Sequence, residues 1–219
     1  MTELRTDEEQ AEMLKNWWAE NGTSLLATVV VVAGGWLGWN FYQDQQQATG
    51  EAASAIYSAM TEKVAQAQMA GDSGAEQEAV VLAEQLKKDF DGTTYSQFGS
   101  LFLARIAAEN GDMDSAAKEL RALVDTAEAP IKYMAKVRLG NVLVEQNDVD
   151  GALALVSSVD DPAYASQYLE VKGDALFRKG DLSGAREAYL AAIDSATELG
   201  LDTQPLQRKA DYLVAAEDA

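Results

Sequence analysis

The residue types that most often perform chemistry in proteins are either absent from this sequence or lack the spacing that chemistry needs. The chain has 219 residues and contains no His and no Cys, which excludes thiolate nucleophiles, disulfides, the commonest general base and the commonest transition-metal ligand. The acidic runs at residues 7–9 and 160–161 do not have the spacing of a calcium loop. The sequence also lacks a Gly-Lys-Ser/Thr phosphate loop and a Gly-x-Ser-x-Gly elbow. We therefore predict no catalytic residue, no metal site and no cofactor, and a protein that is not an enzyme.

Protein binding is the chemistry that the remaining side chains suit. If the chain forms stacked helix pairs, an exposed apolar groove along their first helices would indicate a partner. Acidic neighbours such as Glu109, Glu145, Glu170 and Asp174 would then favour a basic or neutral segment. Two alternatives would close the groove: the chain's own C-terminal helix, or the helix around residues 52–68. The residues that would face such a groove, if the chain forms stacked helix pairs, are Phe98, Leu101, Met134, Val137, Asn141, Val144 and Phe177.

The charge of the chain narrows the class of partner. Asp and Glu total 36 against 17 Lys and Arg, which gives a formal net charge of −19. Nucleic-acid binding needs clustered Lys and Arg, so we predict no nucleic-acid partner. The three Pro and the 47% hydrophobic content are typical of a helical globular protein rather than of a disordered chain.

A helical repeat is the element that would position the groove residues. Helix formers dominate after residue 44, and strand-like alternation is absent. The Gly-Asp or Asn-Asp pairs at 111–112, 147–148 and 180–181 recur at intervals of 36 and 33 residues. This period predicts an all-α fold of stacked helix–turn–helix units, in which small residues allow close helix contact. The small residues at matching phases are Ala104, Gly140, Gly173, Ala116, Ala152 and Ala185.

The unit at residues 166–199 resembles the tetratricopeptide repeat. Gly173, Leu176, Ala185, Tyr189 and Ala192 stand at the positions of that pattern, and the units at 97–132 and 133–165 match less well. The second contact face is expected to continue through Val159. Residues 45–89 resemble a degenerate first unit. Residues 205–213 are predicted to form a final helix that covers the open end of the array, as repeat arrays require.

One segment is predicted to cross a membrane. Residues 21–43 carry no charge, and the 20 residues 23–42, as a helix, span about 30 Å, the thickness of the hydrocarbon core. Trp17 and Trp18 precede this run and Trp39 and Tyr42 end it, as in the aromatic belt of a membrane helix. The first Ala-x-Ala pattern, at residues 53–55, lies too far beyond the run to be a signal-peptide cleavage site. We therefore predict an uncleaved anchor.

The orientation of this anchor follows from the flanking cations. Arg5 and Lys15 precede it, whereas the next cation after it is Lys63, so the N-terminus is expected in the cytoplasm. The predicted parts are a cytoplasmic tail at 1–22, a transmembrane helix at 23–43 and a translocated repeat domain at 44–219. Gly34 and Gly38 have the spacing of a helix-packing face within the membrane.

The whole chain resembles the YfgM family. The resemblance is carried by residues 6–10, by the Trp-Trp-x-Glu-Asn-Gly run at residues 17–22, and by residues 39–43 before the repeats. It implies a single-pass protein of the bacterial inner membrane, with a periplasmic tetratricopeptide-like domain. It also implies the SecYEG translocon and the membrane-anchored chaperone PpiD as partners, with unfolded or emerging polypeptides as clients. A second reading stays open, a membrane-anchored scaffold or assembly factor for another envelope complex.

Overall fold

The structure is a computed structural model that describes residues 7–159 and 161–217. Each regular element in those residues is a helix, so the predicted all-α class is confirmed. A short 3-10 helix, Pro162–Tyr164, precedes α7. The α-helices in chain order are α1 (Asp7–Ala70), α2 (Ser73–Asp89), α3 (Thr94–Glu109), α4 (Met113–Thr126), α5 (Ile131–Glu145), α6 (Val149–Leu155), α7 (Ala165–Lys179), α8 (Leu182–Glu198) and α9 (Gln204–Glu217).

The chain divides into two units within α1, Met1–Ala52 and Ala53–Ala219. In the first unit the apolar side chains of the predicted span are exposed, Trp36 to 63% and Val31 to 74%. In the part of the chain that the structure describes, one helix, α1, is long and apolar enough over Glu8–Ala70 to cross a membrane by its length and composition. It is a candidate membrane helix, and the boundaries 1–22, 23–43 and 44–219 remain predictions. Arg5, on which the orientation partly rests, lies outside the described residues.

In the second unit, the same turn joins the two helices of successive pairs. A residue with left-handed backbone ends the first helix, Gly111 (φ 79°), Asn147 (φ 62°) or Gly180 (φ 85°). The next residue is an Asp whose N–H donates to the carbonyl five residues back, at 2.8, 2.8 and 3.0 Å in the three turns. Its carboxylate accepts the N–H three residues ahead, at 3.0, 3.1 and 2.9 Å. Each turn therefore pairs some of the free backbone groups at the end of one helix and at the start of the next.

The small residues at matching phases lie where the helices approach most closely, as the period predicts. Ala116, Ala152 and Ala185 are fully buried. A Cβ added to Gly140 would lie 2.6 Å from Val171 Cγ1, and one added to Gly173 would overlap the Tyr189 ring. Packing runs between successive helices and between alternate ones, α3 with α5 and α5 with α7. This is the contact pattern of a stacked array.

Residues 53–70 of α1 and the helix α2 make the first helix pair, the one with the weakest sequence match. Their small and apolar side chains pack onto α3, and Gly99 lets α3 approach, since its added Cβ would lie 3.0 Å from the Ala83 carbonyl oxygen. The members of this cluster are Ala53, Met60, Ala79, Ala83, Leu86, Phe102 and Ile106.

The helix pair α5–α6 departs from the prediction at its second helix. The sequence phase places Val159 on the contact face, but α6 ends at Leu155 and Val159 is 44% exposed. The segment is poor in helix formers, because Ser side chains compete for backbone hydrogen bonds and Pro162 disfavours helix in the residue before it. Asp161 instead caps the 3-10 helix, accepting the Ala163 N–H at 2.9 Å. Asp160 lies outside the described residues.

The last helix, α9, packs onto α8 at the C-terminal end of the array. Leu206, Ala210 and Leu213 are each at most 4% exposed and pack against α8. Burial of one Leu side chain is worth about 1.5–3 kcal/mol. The helix α9 is therefore an integral part of the second unit.

Candidate protein-binding groove

The predicted groove residues lie on the first helices of three successive pairs, α3, α5 and α7. They do not form one continuous exposed strip. Three of them, Asn141, Val144 and Phe177, line one cavity. The other four lie in packed surroundings nearer the N-terminal end of the array or between helix pairs, and they are Phe98, Leu101, Met134 and Val137.

Two residues expected on an exposed surface are interior residues. Leu101 and Val144 are each 5% exposed and belong to the core that α3, α4, α5 and α6 share. The reason is that α5 packs against neighbours on several sides, so its apolar side chains do not all face one groove. The expected exposure of Leu101 and Val144 is corrected by this burial.

The N-terminal end of the predicted strip is covered by the chain itself. The half-buried Phe98 ring lies 5.5 Å from the ring of Tyr57, which belongs to the last part of α1. Tyr57 also lies 5.5 Å from Tyr95, centroid to centroid. At Phe98, the structure corresponds to the alternative in which the helix around residues 52–68 closes the groove.

The middle of the predicted strip is partly buried as well. Met134 packs against the shared core, and Val137 packs against a cluster that includes Val156, Tyr168 and Val171. A polar residue at Val137 would therefore disturb helix packing in addition to any binding.

The open part of the site is a cavity of about 410 Å³ between α5, α7 and α9, here named the C-terminal cleft. Its walls are largely polar, whereas the sequence predicted an apolar strip. Phe177 is 39% exposed and supplies apolar surface, and Asn141 supplies an exposed carboxamide. The lining residues are Asn141, Val144, Glu145, Glu170, Asp174, Phe177, Arg178 and Lys209.

Lys209 of α9 bonds to two acidic residues that also line the cleft. Its Nζ donates to Glu170 Oε1 at 2.8 Å and to the two Asp174 carboxylate oxygens at 2.7 and 2.8 Å. The Tyr189 hydroxyl donates to Asp174 Oδ1 at 2.7 Å, and the Lys209 ammonium lies 5.6 Å from the centre of the Tyr189 ring. We call these four residues the Lys209 cluster. It fixes α9 to both α7 and α8.

The protonation of this cluster follows from its partners. Burial lowers the pKa of Lys209, but the hydrogen bonds and charges of Asp174 and Glu170 outweigh it, so the net pKa lies above 10.5. Burial and then the hydrogen bond to Asp174 raise the pKa of Tyr189 far above its ordinary value. Lys209 therefore stays charged and Tyr189 stays neutral over the physiological range.

The acidic side chains of the expected rim that line the cleft are paired within the chain. Glu170 and Asp174 hold Lys209, and Glu145 Oε2 accepts Arg178 Nη2 at 3.1 Å. Sequence reasoning missed the part that α9 plays here, because the last helix was considered only as a cap. The available signal was the pair Lys209 and Tyr212, three residues apart and so on one face of that helix.

Gly34 and Gly38 belong to the first unit. An added Cβ on either meets no atom within 4 Å. Their predicted role as a helix-packing face in the membrane remains a prediction.

The comparisons with known proteins cover nearly the whole chain. Residues 15–215 match the model of the tetratricopeptide repeat-like domain family. The chain is 28% identical over 190 residues to the "Ancillary SecYEG translocon subunit" of Escherichia coli (strain K12), covering 86% of this chain and 88% of that protein. A protein of the same name from Haemophilus influenzae is 26% identical over 88% of this chain and 91% of its own length. One from Aggregatibacter actinomycetemcomitans is 27% identical with the same coverage.

Proposed function

Because this chain belongs to the tetratricopeptide repeat-like domain family, we propose that it is a non-catalytic protein-binding subunit that accompanies the Sec translocon of a bacterial inner membrane. The observation that carries this proposal is the similarity to ancillary SecYEG translocon subunits over 86–88% of the chain. The family match begins at residue 15, so it includes the candidate membrane helix as well as the repeats. The similarity therefore extends over the candidate membrane helix and the repeats together.

The second part of the proposal is the topology. The candidate membrane helix is a single-pass anchor, the N-terminal tail is cytoplasmic, and the repeat domain lies in the periplasm. Arg5 and Lys15 support this orientation, since cations are retained on the cytoplasmic side. The acidic repeat domain has no need of the membrane for its core, because its buried side chains pack between helices.

Cysteine labelling tests the topology, and the chain suits it because it has no native Cys. The exposed residues Glu12 and Ser183 are changed separately to Cys. A membrane-impermeant thiol reagent applied to spheroplasts is expected to label Ser183→Cys and not Glu12→Cys. Both variants must label after the membranes are dissolved in detergent. Labelling of intact spheroplasts at Glu12→Cys alone would reverse the proposed orientation.

The repeat domain is the proposed partner-binding part. We place binding at the C-terminal cleft, where Asn141 and Phe177 are exposed, rather than along the whole predicted strip. The proposed partners are the SecYEG translocon, the membrane-anchored chaperone PpiD and emerging polypeptides. The support for binding is that the cleft joins polar hydrogen-bonding groups to an exposed aromatic ring, which is the mixture found in protein-binding sites.

Photo-crosslinking in living cells tests these partners. A photoreactive amino acid replaces Asn141 in the cleft or, as a control, Ser183 outside it, and the crosslinked proteins are identified by mass spectrometry. SecYEG subunits and PpiD are expected to crosslink from Asn141 and not from Ser183, because a photoreactive side chain reacts only with a protein that contacts it. Recovery of components of a different envelope machine, without the translocon, would overturn the proposal in favour of the scaffold function.

A further inference from the structure

Two exposed aromatic side chains meet beside the C-terminal cleft. Among residues 53–159 and 161–213, the aromatic side chains that are exposed are Phe177, at 39%, and Tyr212, at 64%. They come from different helices, α7 and α9, and their rings meet edge to face at 6.2 Å between centroids. Aromatic side chains at such positions are enriched among the residues that dominate binding energy.

These rings stand at the junction of two cavities. A second cavity, of about 470 Å³, opens between α7 and α9 and is lined by Phe177, Tyr189, Pro205, Tyr212 and Leu213, among others. It shares Asp174, Phe177 and Lys209 with the C-terminal cleft. One cavity has mainly apolar walls and the other mainly polar walls. Together they can accept a polypeptide segment that has an apolar side chain at one point and polar groups at another.

The charges around the two cavities cancel, although the chain as a whole carries −19. The charged residues that line them are three acidic and three basic: Glu145, Glu170, Asp174, Arg178, Arg208 and Lys209. Five of the six are paired with one another. Because acidic and basic side chains are equal in number, this surface offers no net charge to a ligand. A charged ligand that meets the five paired residues would have to break their pairs or lose hydration without compensation.

We propose that the two cavities form one composite site, walled by α5, α7 and α9, that takes an uncharged polypeptide segment with an aromatic or large aliphatic side chain. That side chain lies in the apolar cavity beside Phe177 and Tyr212. Asn141 donates to or accepts from the backbone of the segment in the polar cleft. This inference rests on the proposed protein-binding function and names the chemistry of what is bound. It also makes α9 a wall of the site rather than a cap alone.

The geometry explains why α9 is required. Without it, Phe177 would face solvent alone, Glu170 and Asp174 would lose Lys209, and the site would be acidic. With α9 in place, Arg208 and Lys209 offset the charges of these two carboxylates, and Tyr212 completes the aromatic pair. Without α9 the site would favour a basic ligand, and with α9 in place it favours an uncharged one.

Peptide binding by the full chain in detergent tests the proposal. The probes are a short uncharged fluorescent peptide with two central Phe residues and its copy with Ser at both places, measured by fluorescence anisotropy. The Phe peptide is expected to bind at least about tenfold more tightly, since burial of an aromatic side chain exceeds the 1.4 kcal/mol that corresponds to tenfold. Copies with Lys or Asp beside the Phe residues are compared at about 0.5 M salt, where long-range attraction to the acidic chain is screened.

Variants of the chain locate the binding. Tyr212→Ser and Phe177→Ser are each expected to weaken the Phe peptide about tenfold. Leu199→Ser removes an apolar side chain of similar exposure, 44%, outside the site, and is expected to leave the affinity unchanged. Melting curves check that the variants remain folded. Tyr212→Ser is the better test of the two, because most of the Tyr212 side chain is in solvent and its removal disturbs less packing.

Three results would overturn the inference. They are equal affinity for the Phe and Ser peptides, an affinity about tenfold higher at about 0.5 M salt for the copy with Lys beside the Phe residues, or wild-type affinity for the Phe peptide in folded Tyr212→Ser. The proposed function is judged separately, by co-purification of the translocon with the wild-type chain and with Tyr212→Ser. Peptide binding without the translocon would leave the composite site standing and remove the translocon assignment. Translocon binding without peptide binding would do the reverse.

Discussion

At the scale of single residues, Gly173 leaves no room for a side chain where α7 packs against α8. Its missing side chain allows the Tyr189 ring to lie against α7. That ring has little freedom to move, because its hydroxyl is held by Asp174. The contact therefore depends on two residues of one repeat unit, and both stand at positions of the tetratricopeptide pattern in the sequence.

Gly173→Val is therefore expected to lower the free energy of unfolding by about 1–3 kcal/mol, since overpacking a tight contact forces shifts of backbone or rotamer. Ala191→Val adds similar volume on the exposed face of α8 and is expected to have little effect. Chemical denaturation followed by circular dichroism measures both. Equal stability of Gly173→Val and the wild type would contradict the close packing of α7 and α8.

The Lys209 cluster predicts a dependence of stability on alkaline pH. The folded-state pKa of Lys209 lies above its ordinary 10.5, so folding favours its charged form. The contribution of Lys209 to the free energy of unfolding is fully present below the ordinary pKa and is lost as the pH rises through the folded-state pKa. Tyr189 acts in the same direction, because folding favours its neutral form. Stability is thus expected to fall above about pH 10.

Lys209→Met tests this dependence. The variant is expected to be less stable than the wild type at neutral pH, with the difference shrinking as the pH rises above 10.5. Lys179→Met is the control, because Lys179 forms a solvent-exposed pair with Asp150. Unfolding free energies are measured at several pH values for all three proteins. A constant gap between Lys209→Met and the wild type would show that the charge of Lys209 does not stabilise the fold.

At the scale of helices, the repeated turn is what the sequence predicts best. Its signal is local, a left-handed Gly or Asn followed by a capping Asp, and local hydrogen bonds decide it. The groove was harder to predict, because burial of Leu101 and Val144 depends on which faces of α3 and α5 meet their neighbours. The end of α6 was missed because periodicity alone carried the pattern through Ser157 and Ser158.

Asp181→Ala tests the turn. The variant removes the acceptor for the Gly184 N–H and is expected to cost about 0.5–2 kcal/mol of stability, the usual effect of losing such a cap. Asp194→Ala, on the exposed face of the same helix, removes the same charge without a cap. Thermal melts of both variants check the difference. A cost as large for Asp194→Ala would assign the effect to charge rather than to capping.

At the scale of the whole molecule, contacts between neighbouring helices hold the second unit together. Stability in such an array is close to a sum of the helix pairs and of the interfaces between them. A cleft near the C-terminal end of the array can therefore be altered with little effect on the first helix pair. The composite site at α5, α7 and α9 lies in that last part of the array.

The shortness of α6 has a consequence for how this array fluctuates. It has seven residues, against 14 in α4 and 17 in α8, and a cavity of about 440 Å³ lies beside it. Fewer buried contacts mean a lower free energy of local opening. Amide hydrogens of residues 149–155 are therefore expected to exchange with deuterium before those of α4 and α8, as measured by mass spectrometry under native conditions. Simultaneous exchange of the three helices would mean that the domain opens as one cooperative block. Early exchange in α6 would mean that α6 opens by itself, so that the helix pairs on either side of it can fluctuate independently.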